Sequence, residues 1–142
     1  IRNTYNTEEE LFEVVKDMAA RYEKNAPELI EYKAENCEGA DIVLVSHGIV
    51  TRACYSAMEE LRAAGIKVGF FRPITLRPFP SKELRQIADN TKRLLVVESA
   101  EGQLAKMVKH EIYGCTTPVA EYFRPGLGIS SEEVVAEVKK LV

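Results

Sequence analysis

Runs of adjacent apolar residues alternate along the chain with apolar residues spaced three or four positions apart. Four runs, at 41–46, 67–71, 93–98 and 118–123, are rich in β-branched and aromatic residues. Continuous runs of this length are typical of strands buried on both faces of a parallel sheet. A shorter segment at 30–34 alternates between apolar and polar residues, which predicts a half-exposed strand.

Apolar stripes at helical spacing lie before, between and after the runs, and each predicts a helix. The first helix is predicted over 8–24. It begins with a capping box from Thr7 to Glu10, and Pro27 is expected to keep it from continuing. The other stripes are Val50, Ala53, Cys54, Ala57, Met58 and Leu61; Leu84, Ile87 and Ala88; Leu104, Met107, Val108 and Ile112; and Val134, Val135, Val138 and Leu141.

Local signals mark where several of these helices begin and end. Gly65 is placed to end the second helix in a Schellman motif, with a hydrophobic contact between Leu61 and Ile66. Ser81 is predicted to cap the third helix. A second capping box, 130–133, predicts the start of the last helix.

Strands that alternate with helices predict a three-layer α/β/α fold with a mostly parallel sheet and right-handed crossovers. We expect the four long runs to be parallel to one another. Residues 1–29 are interpreted as an N-terminal helical extension, and residues 30–142 as the compact domain.

Composition narrows the class of protein. The chain has 142 residues, 46% of them hydrophobic, which is enough for one domain with its own core. A net charge of −3 argues against nucleic-acid binding. No apolar run approaches the roughly 18 residues of a membrane span, and from the polar, acidic first residues we expect no secretory signal. Because the first residue is Ile1 rather than Met, we expect a fragment of a longer polypeptide or a processed product.

Cysteine usage predicts a reducing compartment, the cytoplasm. Cys37, Cys54 and Cys115 are odd in number and widely spaced, so a disulfide framework is not expected. No C-x-x-C occurs, so the chain should hold no iron–sulfur cluster, and no His or Cys pair has metal-ligand spacing.

The carboxyl ends of parallel strands are where open α/β sheets bind ligands. Arg72 and Arg124 each precede a proline at such an end, and together with the amides of Gly48 they could form an anion-binding crevice. The alternative is that each arginine pairs with a nearby acid such as Glu98 or Glu101.

Two further residues at these strand ends have a chemical and a structural interpretation. His47 could be a general base, but no nucleophile motif accompanies it, so we interpret it as a packed or hydrogen-bonded turn residue. Glu98 could be a catalytic acid or base, but we expect it to anchor a neighbouring backbone or arginine. We therefore assign no catalytic residue.

The proline-rich loop at 74–80 is a candidate subunit interface. Ile74, Leu76 and Phe79 lie in a segment that its prolines make stiff. Arg77 lies among them, and protein interfaces are enriched in aromatic and arginine residues. The alternative is that Phe79 packs beneath the following helix against Leu84.

Several motifs, in collinear order, resemble the alpha subunits of 2-oxoacid:ferredoxin oxidoreductases. The resemblance covers residues 28–142, and its strongest stretch is Arg-Pro-Ile-Thr-Leu-Arg-Pro-Phe-Pro at 72–80. The family often has Tyr-Gly and a small hydroxyl residue where this chain has His-Gly-Ile at 47–49, which weakens a ligand role for that turn. The other matching segments are 41–48, 52–54, 65–69, 95–98, 102–104 and 126–134.

The resemblance implies both a fold and a role. It implies a transketolase carboxy-terminal-like domain with a five-stranded sheet, in which 30–34 is an antiparallel edge strand. It implies a non-catalytic assembly domain, leaning to the 2-oxoisovalerate type, with the other domains and subunits as its partners. The parent complex would use thiamine diphosphate, Mg²⁺ and iron–sulfur clusters to convert a 2-oxoacid, CoA and oxidised ferredoxin into acyl-CoA, CO₂ and reduced ferredoxin. The Gly-Asp-Gly and Asn-Asn signature of thiamine sites is absent, so this domain should hold no cofactor.

Two other functions stay open from the sequence. One is a stand-alone anion or small-molecule binding module that uses the Arg72 and Arg124 crevice. The other is the carboxy-terminal domain of another thiamine enzyme, against which the 72–80 motif argues. Whether the chain pairs with a second copy as a homodimer is also open.

Overall fold

A five-stranded sheet forms the centre of the computed structural model, which describes residues 4–142. The strand order is β1-β3-β2-β4-β5, and β1 runs antiparallel to β3 while the other neighbours are parallel. This confirms the mostly parallel sheet and the antiparallel edge strand. The strands are β1 (Tyr32–Glu35), β2 (Ile42–Val45), β3 (Val68–Pro73), β4 (Arg93–Glu98) and β5 (Val119–Phe123).

Four helices cover the two faces of the sheet and complete the three-layer α/β/α fold. Helices α2 and α5 pack together on one face, and α3 and α4 lie on the other. A short 3₁₀ turn, Gly48–Val50, leads into α2. The helices are α1 (Glu8–Leu29), α2 (Thr51–Ala63), α3 (Ser81–Asp89), α4 (Gln103–Glu111) and α5 (Ser131–Lys139). No helix within 4–142 is both long enough and apolar enough to cross a membrane.

The sheet divides the core into two apolar clusters. Because side chains alternate along a strand, Ile42 and Leu44 of β2 enter the cluster beneath α2 and α5. Val43 and Val45 of the same strand enter the cluster beneath α3 and α4. All four residues of β2 are buried, which is why that strand has no polar alternation in the sequence.

Helix α1 is longer than predicted and lies outside both clusters. It continues through Pro27 to Leu29, so the expected stop was wrong. The missing N–H of proline removes a backbone hydrogen bond in the last turn only, which the helix can lose without ending earlier. At the other end, Thr7 accepts a hydrogen bond from the Glu10 N–H as predicted, whereas the Glu10 carboxylate accepts from the Asn6 N–H instead of completing the box.

Of the signals predicted to mark helix boundaries, the one at the end of α2 was confirmed and the one at the start of α3 was wrong. Gly65, at φ +84°, ends α2 in the predicted Schellman motif, in which the Ile66 N–H donates to the Leu61 carbonyl at 3.0 Å. The Ser81 cap was wrong, because Pro80 is the capping residue and Ser81 is the first helical residue. The hydroxyl of Ser81 donates instead to the Glu111 carboxylate.

The predicted division at residue 29 falls close to the end of α1. Residues 1–3 of the predicted extension lie outside the described part of the chain. The segment after α1 joins the sheet at once, since the Ile74 N–H donates to the Glu31 carbonyl at 2.9 Å and the Glu31 N–H donates to the Thr75 hydroxyl at 3.0 Å.

Candidate functional site at the carboxyl edge of the sheet

A cavity of about 330 Å³ lies between the carboxyl ends of β2 and β4. The chain leaves β2 and connects to β3, which lies beside β2 on one side. It later returns as β4, which lies beside β2 on the other side. The strand order therefore reverses between β2 and β4, the position at which open α/β sheets bind ligands. We call this space the switch-point cavity, and it is lined by His47, Gly48, Ile49, Leu76, Glu98, Ser99, Ala100, Gln103, Leu104 and Met107.

His47 is a hydrogen-bonded turn residue at the rim of this cavity. Its Nδ1 lies 3.0 Å from the Pro73 carbonyl oxygen, and because a carbonyl oxygen only accepts, Nδ1 is the donor. That bond ties the end of β2 to the end of β3 and holds the imidazole in one orientation. The interpretation of His47 as a structural residue agrees with this contact.

Gly48 and Ile49 form the exposed lip of the cavity. Gly48 adopts φ +68°, a left-handed conformation that favours glycine, and it opens the 3₁₀ turn before α2. Ile49 comes next, with 85% of its surface exposed. An isoleucine in this position makes the lip apolar.

Glu98 fills the N-terminus of α4 with its own carboxylate. Its two oxygens accept hydrogen bonds from the Leu104 N–H at 2.9 Å and the Ala105 N–H at 3.4 Å. Glu98 is only 6% exposed, and its negative charge compensates the positive end of the helix. The expected anchoring role of Glu98 is present, and the helix end that could have received an external phosphate is occupied.

The chain turns tightly into α4 through Gly102. Gly102 adopts φ +83°, and a Cβ there would lie 3.2 Å from the Phe123 ring and 3.9 Å from Glu98 Oε1. Glycine therefore allows the start of α4 to approach both the carboxylate and the end of β5.

The three residues of the predicted anion crevice do not come together. Arg124 is paired with Glu133 of α5, and only Gly48 lines the switch-point cavity. Arg72 lines a different cavity, on the α2 side of the sheet near β1. Strands β3 and β5 are separated by β2 and β4, so their backbones are roughly 14 Å apart at the usual strand spacing. The acid that pairs with Arg124 is also neither of the two that the sequence suggested.

The interface loop is divided between the core and the surface. Phe79 is 8% exposed and packs in the same cluster as Leu84, which is the alternative that the sequence left open for it. The aromatic ring closes the α3 and α4 side of the core. Leu76 is half-buried and lines the switch-point cavity, and exposed Arg77 lies over the Tyr22 ring of α1, 5.6 Å from its centroid.

The described residues do not fit a metal centre or an iron–sulfur cluster. Cys54 packs in the α2 and α5 cluster, whereas Cys37 and Cys115 pack against the other cluster, on the opposite face of the sheet. Burial raises the pKa of the Cys54 thiol to about 12. Iron–sulfur clusters bind cysteines in the deprotonated thiolate form, which this raised pKa disfavours. Across 4–142 no group of three or more His, Cys, Asp or Glu side chains is placed to hold a metal ion.

Three residues that line the two cavities, Ile49, Lys33 and Arg52, were not among the candidate site residues predicted from the sequence. Ile49 could have been found, because an apolar residue there departs from the small hydroxyl residue of the resembling family. Lys33 and Arg52 lie beside Arg72 in its cavity. Their proximity depends on the β1–β3 register and the docking of α2, which no local pattern encodes.

Comparison with known proteins gives one family match. The model of pyruvate:ferredoxin oxidoreductase core domain II matches residues 40–134. Those residues run from the start of β2 into α5, and so include four of the five strands.

Curated relatives are subunits of 2-oxoacid oxidoreductases. The ketoisovalerate oxidoreductase subunit VorB of Methanothermobacter thermautotrophicus is 43% identical over 63% of this chain and 25% of its own length. The ketoisovalerate oxidoreductase subunit VorA of Pyrococcus abyssi is 32% identical over 94% of this chain and 37% of its own length. The chain therefore spans between 25% and 37% of the length of these relatives.

Two solved structures share the fold. The 2-oxoglutarate:ferredoxin oxidoreductase from Magnetococcus marinus matches with a TM-score of 0.65 and 27% identity, over 78% of this chain and 19% of that chain. A split-gene transketolase matches with a TM-score of 0.67 and 24% identity, over 78% of this chain and 40% of that chain. The second likeness concerns the fold alone.

Proposed function

The chain belongs to the pyruvate:ferredoxin oxidoreductase core domain II family, and we propose that it serves as a non-catalytic assembly domain of a 2-oxoacid:ferredoxin oxidoreductase. The observation that carries this proposal is helix α1. None of its residues is buried, although it is 22 residues long and amphipathic. An isolated apolar helix face is costly in water, so we expect another part of the oxidoreductase to cover it.

The exposed face of α1 has the spacing of a helix-pairing seam. Leu11, Val15, Met18 and Tyr22 follow one another at intervals of four, three and four residues, which keeps them on one stripe. Between 41% and 57% of each of these side chains is exposed. Phe12, beside the stripe, is 58% exposed, with Lys16 over its ring.

The stripe leads into the apolar part of the carboxyl edge. A groove beneath the C-terminal half of α1 is lined by Tyr22, Leu76 and Met107, among others. Leu76 and Met107 also line the switch-point cavity. The α1 stripe, the loop with Leu76 and Arg77, and the lip at Ile49 thus form a surface along which other domains or subunits could pack. We propose this surface for assembly, with Ile74 beside it as a minor contributor.

The reaction and its cofactors belong to the parent complex. We propose that the parent converts a 2-oxoacid, CoA and oxidised ferredoxin into acyl-CoA, CO₂ and reduced ferredoxin, using thiamine diphosphate, Mg²⁺ and iron–sulfur clusters held in other domains. Since the described residues do not fit a metal centre or an iron–sulfur cluster, no step of the reaction is assigned to them. The two VorB relatives, at 43% and 44% identity, support 2-oxoisovalerate as the substrate. The two VorA relatives, at 32% and 29%, fall within the 29% to 34% of the 2-oxoglutarate synthase subunits, so the support comes from VorB.

The partners are proposed at two levels. The relatives are named as subunits, which supports other subunits of the same complex as direct partners. Ferredoxin and CoA would bind the parent complex rather than this domain. A homodimer through the α1 stripe is a second arrangement of the same surface. The three unpaired cysteines support a cytoplasmic location.

The assembly role can be tested by making the stripe polar. In the assembled oxidoreductase, Val15→Gln together with Met18→Gln should weaken association of the subunit that carries this domain by about 1–3 kcal/mol, the usual range for interface anchors. The measurement is sedimentation velocity of the complex across a dilution series. Because both side chains are exposed, thermal melting of the 142-residue chain should change little.

Ala20→Gln, which adds a polar side chain to the opposite side of α1, is the matched control and should leave assembly unchanged. If the double variant assembles as tightly as the unmodified subunit, α1 is not the assembly surface. If the double variant instead unfolds the isolated chain, the stripe belongs to the core of this domain.

A further inference from the structure

A second cavity, of about 400 Å³, lies on the α2 side of the sheet near the edge strand β1. Strands β1 and β3 contribute Lys33 and Arg72, and the first turn of α2 contributes Thr51 and Arg52. We call it the basic cavity. It shares no lining residue with the switch-point cavity or with the α1 stripe, so a ligand bound in it would serve a role beyond the proposed function and independent of it.

Two positive side chains face each other across the strand pair. Lys33 is the direct partner of Arg72 in the antiparallel β1–β3 register, so both project from the same face of the sheet. Like charges in directly opposite positions are destabilising. None of the ion pairs formed within 4–142 includes Lys33, Arg72 or the neighbouring Arg52. Three cations therefore share one cavity without a neutralising carboxylate in contact.

Two buried polar atoms in the same cavity also have unused hydrogen-bonding capacity. The Nε of half-buried Arg72 is shielded from solvent and has no hydrogen-bond partner among the described residues. The Oγ1 of Thr51, a residue only 9% exposed, is in the same condition. Buried polar groups are nearly always hydrogen-bonded, and these two unused groups belong to side chains that line the cavity.

One carboxylate, that of Glu35, lines the cavity and reduces its charge. Its charge and a hydrogen bond to the hydroxyl raise the pKa of the Tyr55 phenol from its ordinary value. None of the ion pairs within the described residues includes Glu35. Three positive charges, on Lys33, Arg52 and Arg72, less the one on Glu35, leave a net charge of +2.

We infer that the basic cavity binds a phosphoryl group. A phosphoryl group carries a charge of about −1.5 to −2 near neutral pH, which matches the net +2, whereas a single carboxylate does not. The forked guanidinium groups of Arg52 and Arg72 suit its several oxygens, and the Thr51 hydroxyl supplies a neutral donor. The volume is at the lower end of the roughly 300–1,000 Å³ of small-molecule sites, so the ligand is inorganic phosphate or the phosphoryl end of a small molecule.

A simpler explanation accounts for only one of these residues. Lysines on edge strands prevent sheets from pairing edge to edge, and Lys33 lies on such a strand. Arg72 lies on β3, which has a neighbour on each side, so edge protection does not explain it or its unpaired Nε.

The test is a titration of the 142-residue chain with inorganic phosphate, monitored by amide NMR at constant ionic strength. We expect saturable shifts confined to residues around Lys33, Thr51 and Arg72. Acetate in a parallel titration should bind roughly tenfold more weakly or not at all, since it carries half the charge. Phenyl phosphate distinguishes the sources, because the phosphoryl end of a larger ligand gains affinity from the rest of the molecule and free phosphate does not.

Variants decide whether the cations carry the binding. Arg52→Gln and Arg72→Gln should each weaken phosphate binding roughly tenfold or more, because a charge-assisted hydrogen bond is lost. Arg52 is exposed, so its variant should fold even if the Arg72 variant does not. Arg124→Gln, at the paired arginine that directly follows β5, is the control and should bind phosphate like the unmodified chain. Shifts that increase linearly without saturation, acetate binding equal to phosphate, or an Arg52→Gln chain that binds as the parent does would each overturn the inference.

Discussion

Glu98 and Glu133 each place a carboxylate on the free amides at the start of a helix. Glu98 accepts from the first turn of α4, and Glu133 accepts from the Ser130 N–H while it also pairs with Arg124. At the scale of single residues, the charged side chains beside the carboxyl edge thus stabilise local structure. This is why Arg124 and Glu98, which looked like ligands for a substrate, are not available to bind one.

Phe79 should matter to the stability of this domain. Its ring is 8% exposed and packs with Leu84 in the α3 and α4 cluster, so Phe79→Ala should lower the free energy of unfolding by about 3–5 kcal/mol. Urea unfolding of the 142-residue chain measures this loss. Ile49→Ala, which truncates an apolar side chain that is 85% exposed, should change stability by no more than about 0.5 kcal/mol. If both variants lower the free energy of unfolding by equally small amounts, Phe79 is not a core residue and is again a candidate for the subunit interface.

At the scale of helices and strands, the sequence predicted what is locally encoded. Strands β2 and β4 are buried on both faces, so their continuous apolar runs identified them almost to the residue. The end of α2 was predictable because Gly65 supplies the left-handed residue that a Schellman motif needs. The extent of α1 was not, because whether Pro27 ends a helix depends on how many residues come after it in the last turn.

The capping box at the start of α5 should make stability depend on pH. Hydrogen bonding to the Ser130 N–H, opposed by desolvation and assisted by the Arg124 guanidinium, holds the pKa of the Glu133 carboxyl below its ordinary value of 4.5. The ionised form is therefore favoured in the folded chain. Its contribution is fully present above pH 4.5 and is lost as the pH falls through the lowered pKa.

Glu133→Gln should accordingly destabilise the chain at pH 7 and should approach the parent in stability as the pH falls well below 4.5. Urea unfolding at a series of pH values measures the difference. Ser130→Ala is the matched control, because its hydroxyl accepts from the Glu133 N–H and does not titrate. That variant should cost about 1 kcal/mol at every pH. A Glu133→Gln deficit that stays constant from pH 7 to pH 3 would contradict the linkage.

At the scale of the whole molecule, the order of the strands separates residues that look equivalent in the sequence. Arg72 and Arg124 both precede a proline near the end of a strand, but β2 and β4 lie between their strands. The same order places Lys33, some forty residues earlier in the chain, directly opposite Arg72. Local patterns predict which segments are strands, whereas neighbour order and register depend on crossovers and packing, so the sequence could not decide which cations share a cavity.

The whole-molecule arrangement also predicts which terminal helix the fold needs. Helix α1 buries no residue, whereas α5 buries Val134, Val135 and Val138 in the core cluster that it shares with α2. A chain of residues 30–142 keeps the hydrogen bonds between Glu31 and Thr75 and both apolar clusters. We therefore expect it to remain folded, with a melting temperature within a few degrees of the parent.

Removal of residues 131–142 is the matched control, since it deletes a terminal helix shorter than α1 but takes three fully or nearly fully buried valines out of the core. At about 1.5–3 kcal/mol for each buried aliphatic side chain, that loss is comparable with the total stability of a domain of this size, so the shortened chain should not fold. Circular dichroism melts and hydrogen exchange of both truncated chains make the comparison. If the 30–142 chain exchanges its β4 amides as rapidly as an unfolded polypeptide, α1 is an integral part of the core and the division at residue 29 is wrong. If it stays protected, α1 is an appendage whose apolar stripe stabilises something other than this domain, as an assembly surface requires.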